Sequence, residues 1–315
     1  MSILVTGGAG FIGSTIVDKL IKDESYGFTE GITAEDIVVV DDLSRGSKEN
    51  LPAGVKFYQV DINSSELEEV FKENDIRYVF HQAAQADVSK AIKDPLFDAE
   101  TNIKGSLRLL ENCREYGVKK VVYASSAAVY GKPIELPVTE EHPVAPESPY
   151  GASKHTPEHY LSIYNDLHEL DYAALRYANV YGPRQFAEGE GGVIAIFINK
   201  LLAGETPVIY GDGKQTRDFV YSGDIAAANL AAMASDKNGI FNISRCEQTS
   251  LLDLVDVLRD VLGADFKVEF DDPRPGDIKD SYLDNSKARA ELGWEPEVGL
   301  EEGLRRTVEY YKNIK

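Results

Sequence analysis

Through the first 180 residues, short apolar runs alternate with longer stretches whose apolar positions recur three and four residues apart. Residues 3–6, 37–41, 56–60, 77–81 and 121–125 are largely β-branched or aromatic and continuous rather than alternating, which predicts strands buried on both faces. Residues 11–22, 65–74 and 96–116 have helical spacing and predict crossover helices. The alternation predicts an α/β fold, a Rossmann-type doubly wound parallel sheet. Residues 23–35 are polar and contain glycine, as expected of a lengthened surface connection. Beyond residue 178 the rhythm changes. Loops with Gly and Pro at 181–192, 211–216 and 271–277 separate helical segments at 193–202, 224–234, 251–262 and 300–311. The expected organisation is a first domain over residues 1–178 built on the parallel sheet and a smaller mixed α/β lobe over 179–315, whose late segments can return to the first domain.

Composition adds exclusions. The 315 residues are 43% hydrophobic and 27% charged, as in a globular protein with a real core. Asp and Glu number 53 against 33 Lys and Arg, a formal charge of −20 that repels phosphate backbones and anionic lipid, so no nucleic-acid or membrane partner is expected. No apolar run approaches the ~20 residues of a bilayer span. The opening MSILVTGGAGFIGS lacks a basic leader and a small-residue cleavage site, and the expected location is cytoplasmic. Cys113 and Cys246 lie far apart, which argues against a disulfide framework or thiolate cluster. No metal is expected.

The candidate chemistry begins at the first strand. Gly7, Gly10 and Gly13 follow it directly and open a helix. That context suits a tight turn, close approach to a pyrophosphate and close helix packing, in that order. The second strand ends in Asp41 and Asp42. A carboxylate there can accept from an adenosine ribose and repels a 2′-phosphate, favouring NAD over NADP. Asp41 lies 28 residues after Gly13 instead of the usual ~20, the excess matching the insertion at 23–35. Two rival readings stand beside this. Arg45 is near enough to meet a 2′-phosphate, and Asp42 reads equally as a solvated loop carboxylate. Tyr150 and Lys154 are four residues apart and share a helix face, so the ammonium favours the phenolate. Ser125 and Ser126 stand at the end of the fifth strand, where open parallel sheets present ligands. Residues 155–159 (HTPEH) match a zinc-protease spacing, but no third ligand is evident and a solvated or packed histidine pair is the favoured reading.

Taken in order, residues 6–13 (TGGAGFIG), 41–46 (DDLSRG), 61–62 (DI), 81–84 (HQAA), 125–131 (SSAAVYG), 150–154 (YGASK), 176–184 (RYANVYGPR), 217–221 (RDFVY) and 274–277 (RPGD) resemble the extended short-chain dehydrogenases/reductases, and within them the nucleotide-sugar epimerases. The resemblance spans nearly the whole chain. It implies Tyr150 as acid/base, Lys154 as its electrostatic partner and ribose ligand, and Ser126 as a hydrogen-bonding group for the sugar hydroxyl. It further implies NAD contacts at Phe11, Ile12, Ser44, Gly46, Asp61, Ile62, Gln82, Ala83, Ala84, Asn102 and Tyr177. Asn179, Arg217 and Arg274 then face a sugar-nucleotide diphosphate, Val208 and Tyr210 the uracil, and Asp277 a ribose. A homodimer through a four-helix bundle is also implied.

Family members that eliminate or decarboxylate carry a carboxylate just after the strand-end hydroxyl. Here Ala127 and Ala128 stand there, and methyl groups exchange no protons. The resemblance therefore implies 4-epimerisation of a UDP-sugar, with UDP-glucose and UDP-galactose as the expected pair. UDP-N-acetylglucosamine is an alternative, since Ser281 falls where some members place a bulky tyrosine. UDP-glucuronate is another. A non-recycling nucleotide-sugar dehydrogenase or reductase and a non-catalytic NAD-binding protein are the readings from other classes.

Overall fold

The computed structural model describes residues 1–186, 192–273 and 278–314. In chain order the first half comprises β1 (Ser2–Thr6), α1 (Phe11–Lys22), β2 (Ile37–Val40), β3 (Lys56–Tyr58), α2 (Leu67–Glu73), β4 (Ile76–His81), α3 (Val88–Lys93), α4 (Pro95–Ala99), α5 (Gly105–Glu115), β5 (Lys120–Ser126), α6 (Pro149–His168) and β6 (Asp171–Tyr177). The second half adds β7 (Asn179–Tyr181), α7 (Val193–Leu202), β8 (Val208–Tyr210), β9 (Thr216–Arg217), β10 (Phe219–Tyr221), α8 (Ser222–Ala234), β11 (Gly239–Ile243), β12 (Thr249–Ser250), α9 (Leu251–Leu262), β13 (Glu269–Asp271) and α10 (Leu300–Asn313). Seven strands form one sheet in the order β11-β6-β5-β4-β1-β2-β3. All its pairings are parallel. The chain moves outward from β1 to β3, then returns to β1's other flank with β4. The carboxyl ends of β1 and β4 therefore flank the switch point at which such sheets bind ligands.

Every residue of β1 and β2 is buried, because helices cover both faces. One face packs Ile16, Val17 and Leu20 of α1 and Ile225, Leu230 and Met233 of α8 against Val5, Val39 and Leu175. The other packs Val70 and Phe71 of α2, Leu109 and Leu110 of α5 and Leu161 of α6 against Leu4, Val38 and Val121. A separate apolar cluster joins α7, α9 and α10 to β8 and β10 through Phe197, Ile209, Leu254 and Leu304.

Three features depart from expectation. Residues 96–116 are not one regular helix. α4 and α5 are joined by a π-helical turn, Glu100–Lys104, which carries the buried Asn102 inward. The connection at 23–35 is more than surface loop: Thr29 is buried, its hydroxyl donating to the Asp23 carbonyl at 2.7 Å, and Phe28 meets Tyr78 with ring centroids 5.8 Å apart. β6 and β11 are additional sheet strands, and β11 carries the second half of the chain back to the sheet edge. Among the described residues, no helix is long and apolar enough to cross a membrane.

Trp294, 3% exposed, pins the segment before α10 to α8 by donating its indole N–H to the Asp224 carbonyl at 3.0 Å. Trp294→Phe is expected to cost about 1 kcal/mol through the lost hydrogen bond. Trp294→Ala is expected to cost about 3–5 kcal/mol through the added cavity. Urea unfolding followed by far-ultraviolet circular dichroism measures both.

Candidate active site

The turn after β1 is shaped by close backbone contacts. Gly7 adopts φ +67°, and a Cβ there would lie 2.6 Å from the Ala83 nitrogen at the exit of β4. A Cβ on Gly13 would lie 2.1 Å from the Gly7 carbonyl oxygen. Gly10 caps α1 and no side chain bonds to the helix start, so its leading amides, from Phe11 and Ile12 on, suit an anion.

The loop after β2 lies on this turn. Asp41 is 7% exposed, and its carboxylate accepts from the backbone amides of Ala9 at 3.0 Å and Leu43 at 2.9 Å. Burial raises its pKa and those amides oppose the rise. Asp42 is more exposed and accepts from the Ser44 amide and hydroxyl at 2.9 and 2.6 Å. Gly46 lies against Ala9, to whose carbonyl the Ser47 amide donates at 3.0 Å. Arg45 reaches across the mouth of β1 to Asp87 at 2.9 Å, so its guanidinium is occupied by a carboxylate. After β3, Asp61 accepts from the Asn63 amide at 2.8 Å, and Ile62 is buried against Gly105.

The opposite wall follows β4. The Ala83 amide donates to the Thr6 hydroxyl at 3.3 Å, and Ala84 is half-buried beside it. Gln82 donates to Asn229 at 3.1 Å and accepts from the Tyr177 hydroxyl at 3.3 Å, which itself accepts from Asn229 at 2.8 Å. Asn102 accepts from the Gln85 amide at 2.8 Å and donates toward the Gln85 carbonyl and the Ser153 hydroxyl, each at 2.9 Å. The π-helical turn thus fastens the β4 exit to α6.

Tyr150 and Lys154 occupy successive turns at the start of α6, whose N-cap Ser148 accepts from Gly151 at 3.1 Å. Burial raises the Tyr150 pKa, and Ser126 beside it opposes the rise. Lys154 is 3% exposed, and its ammonium lies 4.5 Å from the centre of the Tyr123 ring. Burial pulls its pKa down to about 7, against the pull of Glu158 and Asp98. His81 beneath them is pushed down to about 3 by burial and by Lys154, and is therefore neutral. The Ser106 hydroxyl donates to the Asn102 carbonyl at 2.6 Å and so accepts from His81 Nε2 at 2.9 Å. That leaves His81 Nδ1 to accept from Thr6 at 2.7 Å.

The HTPEH segment is a buttress. Glu158, 3% exposed, accepts from Arg176 Nε at 2.9 Å and from a second guanidinium nitrogen at 2.6 Å. It also accepts from the Ser125 hydroxyl at 2.5 Å, and His155 Nδ1 lies 3.0 Å away. Burial opposes the charge, but these partners hold Glu158 below the usual carboxylate range. No group of three or more His, Cys, Asp and Glu among the described residues is arranged to hold a metal. The pairing of Glu158 with Arg176 across 18 residues has no signature in either local segment.

Of the expected sugar-nucleotide contacts, Asn179 opens β7 beside β10, its amide donating to the Asp218 carbonyl at 2.9 Å. Val208 and Tyr210 lie on β8, paired with β13. Arg217 on β9 donates to the Thr216 carbonyl at 2.8 Å. Buried Asp218 beside it accepts from the amides of Arg245, Cys246 and Leu283, which ties three loops around that strand. Arg274 and Asp277 lie outside the described residues.

A phosphate-suited turn at the switch point, with Ser126 at the end of β5 and Tyr150 and Lys154 at the start of α6, defines a dinucleotide-dependent enzyme acting at a hydroxyl-bearing carbon. The chain belongs to the NAD dependent epimerase/dehydratase family, whose model matches residues 3–244. A putative UDP-glucose 4-epimerase of Methanocaldococcus jannaschii is 46% identical over 312 residues, 99% of this chain and 98% of that protein. The crystal structure of UDP-glucose 4-epimerase from Thermotoga maritima with UDP-glucose is 45% identical, covers 100% of this chain and 99% of its own, and superimposes with a TM-score of 0.93. The UDP-N-acetylglucosamine 4-epimerase from Methanobrevibacter ruminantium, in complex with UDP-N-acetylmuramic acid, is 39% identical with the same coverages and a TM-score of 0.92.

Two outcomes follow from this geometry. Gly13→Ala is expected to lose bound NAD while keeping the fold, measured as cofactor per chain after purification. Arg176→Met, which strands Glu158 in the interior, is expected to cost about 3–5 kcal/mol in urea unfolding. The double variant Arg176→Met/Glu158→Leu is expected to recover most of that loss.

Proposed function

We propose that the protein interconverts UDP-glucose and UDP-galactose by NAD-dependent 4-epimerisation. The observation that carries this reading is Ser126 acting on Tyr150 one helical turn from the buried Lys154, with only the methyl groups of Ala127 and Ala128 following Ser126. Tyr150 takes the proton from the 4-hydroxyl, and Ser126 aligns that hydroxyl. Lys154, charged beside it, lowers the cost of the phenolate and holds the cofactor ribose. NAD, when bound, would supply the acceptor and then the donor of the carbon 4 hydride. The 4-keto sugar turns over between the two transfers while its diphosphate stays held by Asn179 and Arg217, and Tyr150 then gives the proton back. The two alanines offer no second proton carrier, so elimination and decarboxylation do not compete.

The cradle of Gly7, Gly10 and Gly13 supports pyrophosphate binding, with Phe11 and Ile12 amides at the helix start. Asp41, Asp42, Ser44 and Gly46 would hold the adenosine ribose, and Asp61 and Ile62 would flank the adenine. The Arg45–Asp87 pair favours NAD, since a 2′-phosphate would have to compete with a carboxylate for that guanidinium. UDP-N-acetylglucosamine is the second reading. The half-buried Ser281, where some family members place a bulky tyrosine, would leave room for a larger 2-substituent, and its segment is fixed by the Val138 amide donating to the Tyr282 carbonyl at 3.0 Å. A homodimer through α5 and α6 is supported by the apolar side chains that α6 leaves exposed, Ile163 at 45% and Leu167 at 70%. The location that fits this chemistry is the cytoplasm.

Purified protein given UDP-galactose and no added cofactor is expected to form UDP-glucose, with Tyr150→Phe slower by about 10²–10⁴-fold. Failure to form UDP-glucose even with NAD supplied would overturn the substrate assignment. UDP-N-acetylglucosamine and UDP-glucuronate would be tried next.

A further inference from the structure

Around Lys154 the charges can be assigned one by one. His81 from β4 is neutral. Tyr123 from β5 and Tyr150 on α6 are phenols whose ionisation burial opposes. Glu158, one turn along α6, is already matched by Arg176. Among the described residues, the other carboxylate that acts on Lys154, after Glu158, is Asp98 of α4.

Asp98 is 1% exposed. Its Oδ1 accepts from Gln85 Nε2 at 2.9 Å and Asn102 Nδ2 at 3.2 Å, both neutral amides. Its Oδ2 is buried with no hydrogen-bond partner. Asn102 also donates to Ser153, the residue between Ala152 and Lys154, so α4 and the catalytic turn of α6 are held together by a single amide. A carboxylate kept from water with half its acceptor capacity unused is costly unless a cation balances it.

We infer that the Asp98 carboxylate is the standing counter-charge of Lys154, and so a positioning residue for proton transfer at Tyr150 rather than a packing residue of α4. The inference rests on reading Tyr150 and Lys154 as the proton-handling pair. Asp98 favours the ammonium of Lys154 and disfavours the phenolate of Tyr150. It thereby adds to the burial that already keeps Tyr150 protonated.

The sign of the test follows. Asp98→Asn keeps an acceptor for Gln85 and Asn102 and removes only the charge. Without that charge Lys154 loses its proton at lower pH, and so does Tyr150. In the protein as purified, NMR titration of isotope-labelled lysine side chains should show Lys154 moving down by about one pH unit. The pH–rate profile for hydride transfer should move the same way on both limbs, with NAD content unchanged. Asp98→Ser is the second variant, read identically in case the first does not fold. A Lys154 titration that stays in place in a folded variant, or a rate reduced equally at every pH, overturns the inference. The lysine titration needs no turnover, so it decides the role of Asp98 even if UDP-galactose proves to be the wrong substrate.

Discussion

A guanidinium and a carboxylate withdrawn from water, Arg176 and Glu158, join β6 to α6, and the Ser125 hydroxyl adds β5 to the same carboxylate. Neither ion is tolerable there alone. Satisfying both sets the rotation and depth of α6, and with them the positions of Tyr150 and Lys154 eight and four residues upstream of Glu158. Arg176 also stacks over the Tyr130 ring at 4.6 Å, and Tyr130 donates to Asn242 of β11 at 2.7 Å. Helix α6 is thus referenced to three strands by one polar chain. The proposed proton transfer at Tyr150 needs this rigidity, because the reacting groups would have to stay within hydrogen-bond reach through two opposite hydride transfers.

The legible parts of the site were those whose requirements are local. Gly7, Gly10 and Gly13 stand on a strand–turn–helix path of about a dozen residues, and each spacing answers to a contact inside or beside that path. Tyr150 and Lys154 share a helical face, which spacing alone discloses. Arg45 was ambiguous in sequence because its partner, Asp87, is 42 residues away and meets it only across the crevice. Glu158 and Asp98 could not be read for the same reason. Their meaning lies in partners supplied by other elements, and the HTPEH spacing around Glu158 fits unrelated chemistry equally well.

The fold was legible to the same rule. Runs such as IVVV and the amphipathic residues 11–22 declare themselves by period. β6 does not, because DYAALRY mixes alanines with two charged residues and has no β-branched residue, and its place in the sheet comes from flanking strands. The π-helical turn inside 96–116 leaves the apolar spacing almost undisturbed. It is paid for by the bonds of Asn102, which no periodicity records.

The return of β11 to the sheet edge bears on how the polypeptide is made. Until residues 239–243 have left the ribosome, β6 presents an open row of backbone donors and acceptors. The face later covered by α8 is equally bare, since α1 alone cannot span it. Nearly four-fifths of the polypeptide must therefore be synthesised before the sheet can close. During that interval the nascent chain is a natural client for chaperones that shield strand edges.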